Sequence, residues 1–327
     1  MDLHVHLVGS ASPERVQKLR RGHPDRDVFT DLPRLCPFSD FTHFAELYAA
    51  VNRLAINGSD ITELVVGLAA DLAASNVRYA EVTVTPMMHL AAGVDAEELV
   101  EALAIGRRQA AEEHSVELSW VFDISGDLGP LSGLDTVQWV LAHQPDASVG
   151  FGLGGPEIGV AREQFSEAFG LARAAGLHSV PHAGENTGPV EVWAALDALG
   201  AERIGHGIRS VHDQRLLSHL AEHGIVLEVC LTSNLRTRAV ADLAAHPLPV
   251  LLASDVPVSL GTDDPGLFHT NLNNEYLIYH EVFGASPGEL ADIAKAGVRA
   301  AFCSAELRRA LLDEIDLVER RAFTTDL

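Results

Sequence analysis

Apolar residues gather in short runs along this chain, and between the runs they recur at helical spacing. Runs of strand character stand at 3–7, 78–85, 118–124, 149–153, 179–182, 203–206, 225–230 and 258–262. A helical pattern follows each, the alternation expected of parallel βα units. Eight such units predict an α/β fold, a (β/α)8 TIM barrel, and we read 1–327 as a single domain. Length by itself would also allow two ordinary domains. Asp60 and Glu63 suggest a capping-box start, after which Ile61, Leu64, Val65, Leu68 and Leu72 repeat on one helical face. Asp95 with Glu98 opens a similar helix carrying Leu99, Val100 and Leu103. The first crossover, 8–77, is the longest. Its segment 38–52 mixes aromatic and aliphatic residues at helical spacing, which predicts extra helices after strand 1 near the barrel mouth. The tail, 285–327, reads as helical and packed on the outside.

Composition narrows the partners. Lys and Arg number 23 against 46 Asp and Glu, a formal charge of −23. The summed field repels nucleic-acid backbones and anionic membranes, so we expect neither as a partner and look to a small molecule. Cys36, Cys230 and Cys303 form no CxxC pair, which argues against a disulfide framework and fits a reducing cytoplasm. We find no export signal and no run of eighteen apolar residues, and therefore expect a cytoplasmic protein. The chemistry begins at His4, and whether the natural N-terminus is longer is left open.

That chemistry is distributed. His4 and His6 stand two apart in a strand and so point to one face; neutral imidazole suits zinc. His182 ends the fifth strand, and Glu185 follows three residues later, beside a metal shell, where a carboxyl can deliver and accept protons. His206 lies between two glycines that permit close approach. Asp263 and Asp264 end the last strand, one placed to bind metal and the other to accept a hydrogen bond from substrate. Each has a plainer reading alone: a chance HxH, a core histidine, an Asp-Pro helix cap. Together they fall at strands one, five, six and eight, where barrel enzymes build their sites.

The order His4-Val5-His6-Leu7, His182-Ala183-Gly184-Glu185, Gly205-His206-Gly207, Thr232-Ser233-Asn234 and Thr262-Asp263-Asp264-Pro265 resembles the adenosine deaminase family of the amidohydrolase superfamily. Tyr79-Ala80-Glu81-Val82 and Leu153-Gly154-Gly155-Pro156-Glu157 resemble its second and fourth strands. The resemblance implies one Zn2+ per chain on His4, His6, His182 and Asp263, and hydrolysis of a purine 6-amino group to ammonia and a 6-oxopurine. It implies that Glu185 protonates ring N1, His206 orients the attacking hydroxide, and Asp263 assists deprotonation. Asp264 would meet N7, and the Gly155 amide N3. No lysine stands in the fourth-strand segment to bridge a second metal.

Three departures stand out. Val8 occupies the place of the family's aspartate for the ribose 5′-hydroxyl, so adenosine would lose a partner worth about 1–3 kcal/mol. A 5′-modified adenosine such as 6-aminodeoxyfutalosine of the menaquinone route becomes the leading substrate, with Val8 facing its 5′ group. Its carboxylate would need a cation, for which Arg53, Arg236 and Arg238 are candidates. Pro156 and Leu231 also replace family residues. Adenosine deaminase, adenine deaminase and another amidohydrolase are the alternatives, with a zinc-bearing protein that has lost catalysis behind them. Assembly into a homo-oligomer is left open.

Overall fold

The computed structural model describes residues 1–23, 38 and 41–325, with residues 321–325 described through their backbone alone. Eight parallel strands follow one another in chain order: β1 Asp2–His6, β2 Tyr79–Val84, β3 Glu117–Ser125, β4 Ser148–Gly154, β5 His178–Ala183, β6 Arg203–His206, β7 Val226–Val229 and β8 Val258–Leu260. A parallel bridge between Val5 and Asp263 brings β1 beside the end of β8 and rounds the sheet into a barrel. All eight runs expected from the sequence form strands, with ends shifted by a residue or two.

The long first crossover holds α1 (Pro13–Gly22), α2 (Phe41–Asn52) and α3 (Gly58–Ala74); α4 (Pro86–Ala92) and α5 (Ala96–His114) follow β2. The start of α3 differs from expectation. Asn57 is its cap, its side chain accepting from Asp60 N at 3.0 Å, while the Asp60 carboxylate turns to His23 Nε2 at 2.8 Å and Ile56 N at 3.1 Å. Asn caps as well as Asp does, and beginning the helix there leaves Asp60 in the first turn, where the helix dipole favours a carboxylate. At α5 the expectation holds: Asp95 accepts from Glu97 N and Glu98 N. The apolar faces of both helices bury Ile61, Leu64, Val65, Leu68, Leu99 and Leu103, which share one core with the strands.

The tail forms helices at Pro287–Ala300 and Ala305–Thr325. Val298, Ala301 and Leu311 pack on Leu3 and Tyr79, at the starts of β1 and β2, and so cover the end of the barrel away from the candidate site. A buried charge network ties this end together. Arg203 Nε donates to Glu228 Oε1 at 2.6 Å, a second guanidinium nitrogen donates to Glu81, and a third to Ala300 O at 2.8 Å. Glu81 Oε1 accepts from Tyr79 Oη at 3.1 Å and Phe302 N at 2.6 Å. Every partner in such a buried set matters, because removing one strands an uncompensated charge at a cost of about 3–5 kcal/mol. Cys230 and Cys303 are free thiols, while Cys36 lies outside the described residues. Among the described residues no helix is long and apolar enough to cross a membrane.

Candidate active site

Donor atoms from β1, β5 and the end of β8 converge inside the C-terminal mouth of the barrel. His4, His6, His182 and Asp263 bring ligand atoms within 4.8 Å of one another. His6 Nε2 is 3.3 Å from both His182 Nε2 and Asp263 Oδ1, and His4 Nε2 is 3.5 Å from Asp263 Oδ1. Ligand bonds of 2.0–2.1 Å arranged tetrahedrally would set donors about 3.3–3.4 Å apart, so these spacings are those of a zinc-sized shell. His4 Nε2 is buried without a hydrogen-bond partner, while its Nδ1 meets Glu228 Oε2 at 2.9 Å. That carboxylate fixes the tautomer and aims the free lone pair at the cluster. The residues present fit a divalent metal.

Close packing makes the convergence possible. A Cβ on Gly205 would stand 2.9 Å from His4 Cε1 and 3.0 Å from His182 Cγ, so only glycine lets β6 approach these rings. His206 and Asp263 both hold φ of 61°, a left-handed conformation unusual for their types, and both end a strand or follow one directly at the cluster. The Asp263 main chain is clamped on β1, its N donating to His4 O at 2.8 Å and its O accepting from His6 N at 2.8 Å.

Electrostatics separate the groups by role. Burial opposes a charge on His4, but Asp263 and Glu228 outweigh it and lift the imidazole to about 10, an environment built for a cation. Burial would raise Asp263, yet hydrogen bonding to His4 and the nearby imidazoles hold it well below the usual carboxylate range. Burial depresses His6 and His206 to about 4, and His182 well below its ordinary value, so these rings are neutral ligands or acceptors. Glu185 is pushed up to about 8 by burial, then by Asp263 and Glu157. Asp264 is raised well above the ordinary range by burial and by Asp263. Two carboxyls raised by burial therefore stand beside one held low by its imidazole neighbours.

Glu185 is 5% exposed, with Thr237 Oγ1 donating to Oε1 at 3.1 Å and Asn186 Nδ2 to Oε2 at 2.9 Å. His206 Nε2 lies 3.7 Å from Asp263 Oδ2 and 4.0 Å from Glu185 Oε2, between the His-His-His-Asp cluster and Glu185. Ser233 Oγ donates to Asp263 Oδ2 at 2.6 Å. Asp264 presses against Gly9, where a Cβ would stand 1.5 Å from its Oδ1. A cavity of about 890 Å³, counting its open mouth, runs outward from this cluster. Glu185, His206, Asp263, Asp264, Gly155, His6 and His182 line it, and α2 supplies an apolar wall of Phe41, Phe44, Ala45, Tyr48 and Ala49. The extra helix near the mouth is thus part of the site.

Some expected residues lie elsewhere. Val8 is 2% exposed, sits in the core and is not among the lining side chains. Arg53, Arg236 and Arg238 are also absent from the lining. Asp264 was expected to meet substrate; it lines the cavity, and burial with the neighbouring Asp263 raises its carboxyl well above the ordinary range. The polar lining groups that escaped the sequence reading include Thr85, Asp123, Ser125, Asp127 and Thr237. An acid inside the apolar run Trp120-Val121-Phe122-Asp123-Ile124 was the available signal. Glu228, in β7, is a second, and its partnership with His4 spans 224 residues.

Known proteins agree with this geometry. The family model described as adenosine deaminase matches residues 1–318. An aminodeoxyfutalosine deaminase of Streptomyces coelicolor is 47% identical over 320 residues, covering 96% of this chain and 83% of the relative. An adenine deaminase of Rhizobium meliloti is 34% identical, covering 95% of this chain and 96% of the relative. The crystal structure of adenine deaminase from Arthrobacter aurescens superposes with a TM-score of 0.94 at 30% identity, over 98% of each chain. With the family model matched over residues 1–318 and the barrel shared over nearly the whole chain, the chain belongs to the adenosine deaminase family of hydrolases acting on C–N bonds.

Proposed function

We propose that this protein hydrolyses the 6-amino group of a 5′-modified adenosine, with 6-aminodeoxyfutalosine as the leading substrate and one zinc ion per chain. The observation that carries the chemistry is the buried Glu185, its carboxyl pushed up to about 8, beside a His-His-His-Asp cluster in a cavity. A zinc ion held by His4, His6, His182 and Asp263 would supply Lewis acidity, lowering the pKa of a water from about 15.7 to about 7.

The chain's own groups do the rest. Glu185 gives its proton to N1, which draws electron density from C6 and opens that carbon to attack. His206, neutral and held against Asn234 Nδ2 at 3.2 Å by its Nδ1, presents Nε2 toward the attacking water and steadies charge as the carbon becomes tetrahedral. Asp263 uses Oδ2, already accepting from Ser233, to take the water's proton. Asp264, protonated, donates to N7, an acceptor in adenine; the Gly155 N–H donates to N3. The purine is held at three edges while ammonia leaves and a 6-oxopurine remains.

Two features favour a 5′-modified nucleoside over adenosine. Position 8 carries no carboxylate to receive a 5′-hydroxyl, and the outer wall from α2 and Met88 is apolar. An apolar wall gains about 25 cal/mol for each Å² of apolar substrate surface it covers. The 47% identity to an aminodeoxyfutalosine deaminase points the same way. A kinetic panel of adenine, adenosine and 5′-substituted adenosines, followed by loss of the adenine absorbance, tests the reading. The 5′-aryl substrate should have the highest kcat/KM; adenine or adenosine leading by tenfold would overturn it.

A further inference from the structure

The reading above gives no work to two buried acids on the cavity wall, Glu157, whose Oε2 already accepts from Asn186 N and Thr187 N, and Asp123. Asp123, in β3, is 3% exposed and lines the cavity. Thr85 Oγ1, just past the end of β2, donates to its Oδ1 at 2.5 Å and fixes the carboxyl. Its Oδ2 lies 2.7 Å from the point where a Cβ on Gly154 would stand, so the absence of that side chain leaves room beside it. No lysine or arginine is among the cavity's described lining residues. A carboxyl kept in such a place costs stability unless something arrives to hydrogen-bond it.

Geometry says what arrives. Around a purine ring the order is N1, N3, N9, N7, with C6 closing the circuit. Around the barrel the strands run in sequence, with β8 beside β1. In the proposed binding mode Glu185, after β5, meets N1, Gly155, after β4, meets N3, and Asp264, after β8, meets N7. N9 lies between N3 and N7, so its substituent must face the arc of β1, β2 and β3. Thr85 and Asp123 stand on that arc. The substituent of a nucleoside is a sugar, whose hydroxyls are donors, and a carboxylate is an acceptor.

Resting on the deaminase reading, we propose that Asp123, oriented by Thr85, accepts hydrogen bonds from the 2′- and 3′-hydroxyls of the bound nucleoside and selects ribonucleosides. Losing a hydrogen bond at this buried carboxyl corresponds to a drop of about 10- to 100-fold in kcat/KM.

The experiment pairs substrate and enzyme changes on the metal-loaded protein. Ribo-, 2′-deoxy- and 3′-deoxy- forms of the best 6-aminopurine nucleoside are assayed with wild type, Asp123→Asn and Thr85→Val, with melting temperature and metal content as folding controls. Wild type should lose about 10- to 100-fold on at least one deoxy form, whereas Asp123→Asn should lose as much on the ribo form and little more on that deoxy form. Equal losses on ribo and deoxy forms in the variant would overturn the assignment. So would a wild type that handles all three alike, a result that needs no variant and leaves the deaminase reading standing. A wild type that deaminates no 6-aminopurine at all would instead remove the reading on which this one rests.

Discussion

His4 Nδ1 and Glu228 Oε2 are 2.9 Å apart, and this bond leaves His4 Nε2 facing Asp263 with no other partner. Glu228 is itself gripped by Arg203 at 2.6 Å, so a metal ligand is set by a chain of charges reaching toward the closed end of the barrel. Glu228→Gln should weaken metal binding by about 10- to 100-fold, since the carboxylate both orients the ring and raises its basicity. Competition with a chelator of known affinity measures this directly, and unchanged affinity would show that the bond is incidental.

Gly205 tests the packing side of the same site. Gly205→Ala would drive a methyl into His4 and His182. Displacing both rings should cost about 1–3 kcal/mol of stability, as overpacking does, and lower metal occupancy along with it. Thermal melts and metal analysis on the purified variant read both effects.

Glu185→Gln removes the proton without changing shape. Turnover should fall by about 10²- to 10⁴-fold, the usual contribution of a positioned acid, while metal content stays at the wild-type level. Ammonia release at wild-type rate would exclude a proton-transfer role for Glu185.

The same residue sets a pH dependence. Glu185 titrates at about 8 in the fold because of burial, with Asp263 and Glu157 adding, against 4.5 for an ordinary glutamate. The folded chain therefore holds an extra proton between those values. Its contribution to stability is complete below about 4.5 and is lost as pH rises through about 8. Activity, which needs the protonated form, should decline above about pH 8 by tenfold per unit. Glu185→Gln has no such proton to lose, so its melting temperature should gain on wild type between about pH 5 and 9.

The local pattern determined a great deal. Apolar runs alternating with helical faces specify parallel βα units, because side-chain period and burial are properties of each segment alone. His4, His6, His182, Glu185, His206, Asp263 and Asp264 were legible because functional groups on a barrel cluster at strand ends, and strand ends can be read from the chain. Asn57 in place of Asp60 as helix cap shows the limit even locally, since two good capping residues three apart compete and packing chooses.

Long-range packing decided the rest. Val8 went into the core, Asp123 and Thr85 came to the cavity wall, and Glu228 reached His4, none of which spacing could reveal. The protonation states were hidden for the same reason. Burial and neighbouring charge raise the Asp264 and Glu185 carboxyls, and both shifts depend on groups that meet only when the barrel closes.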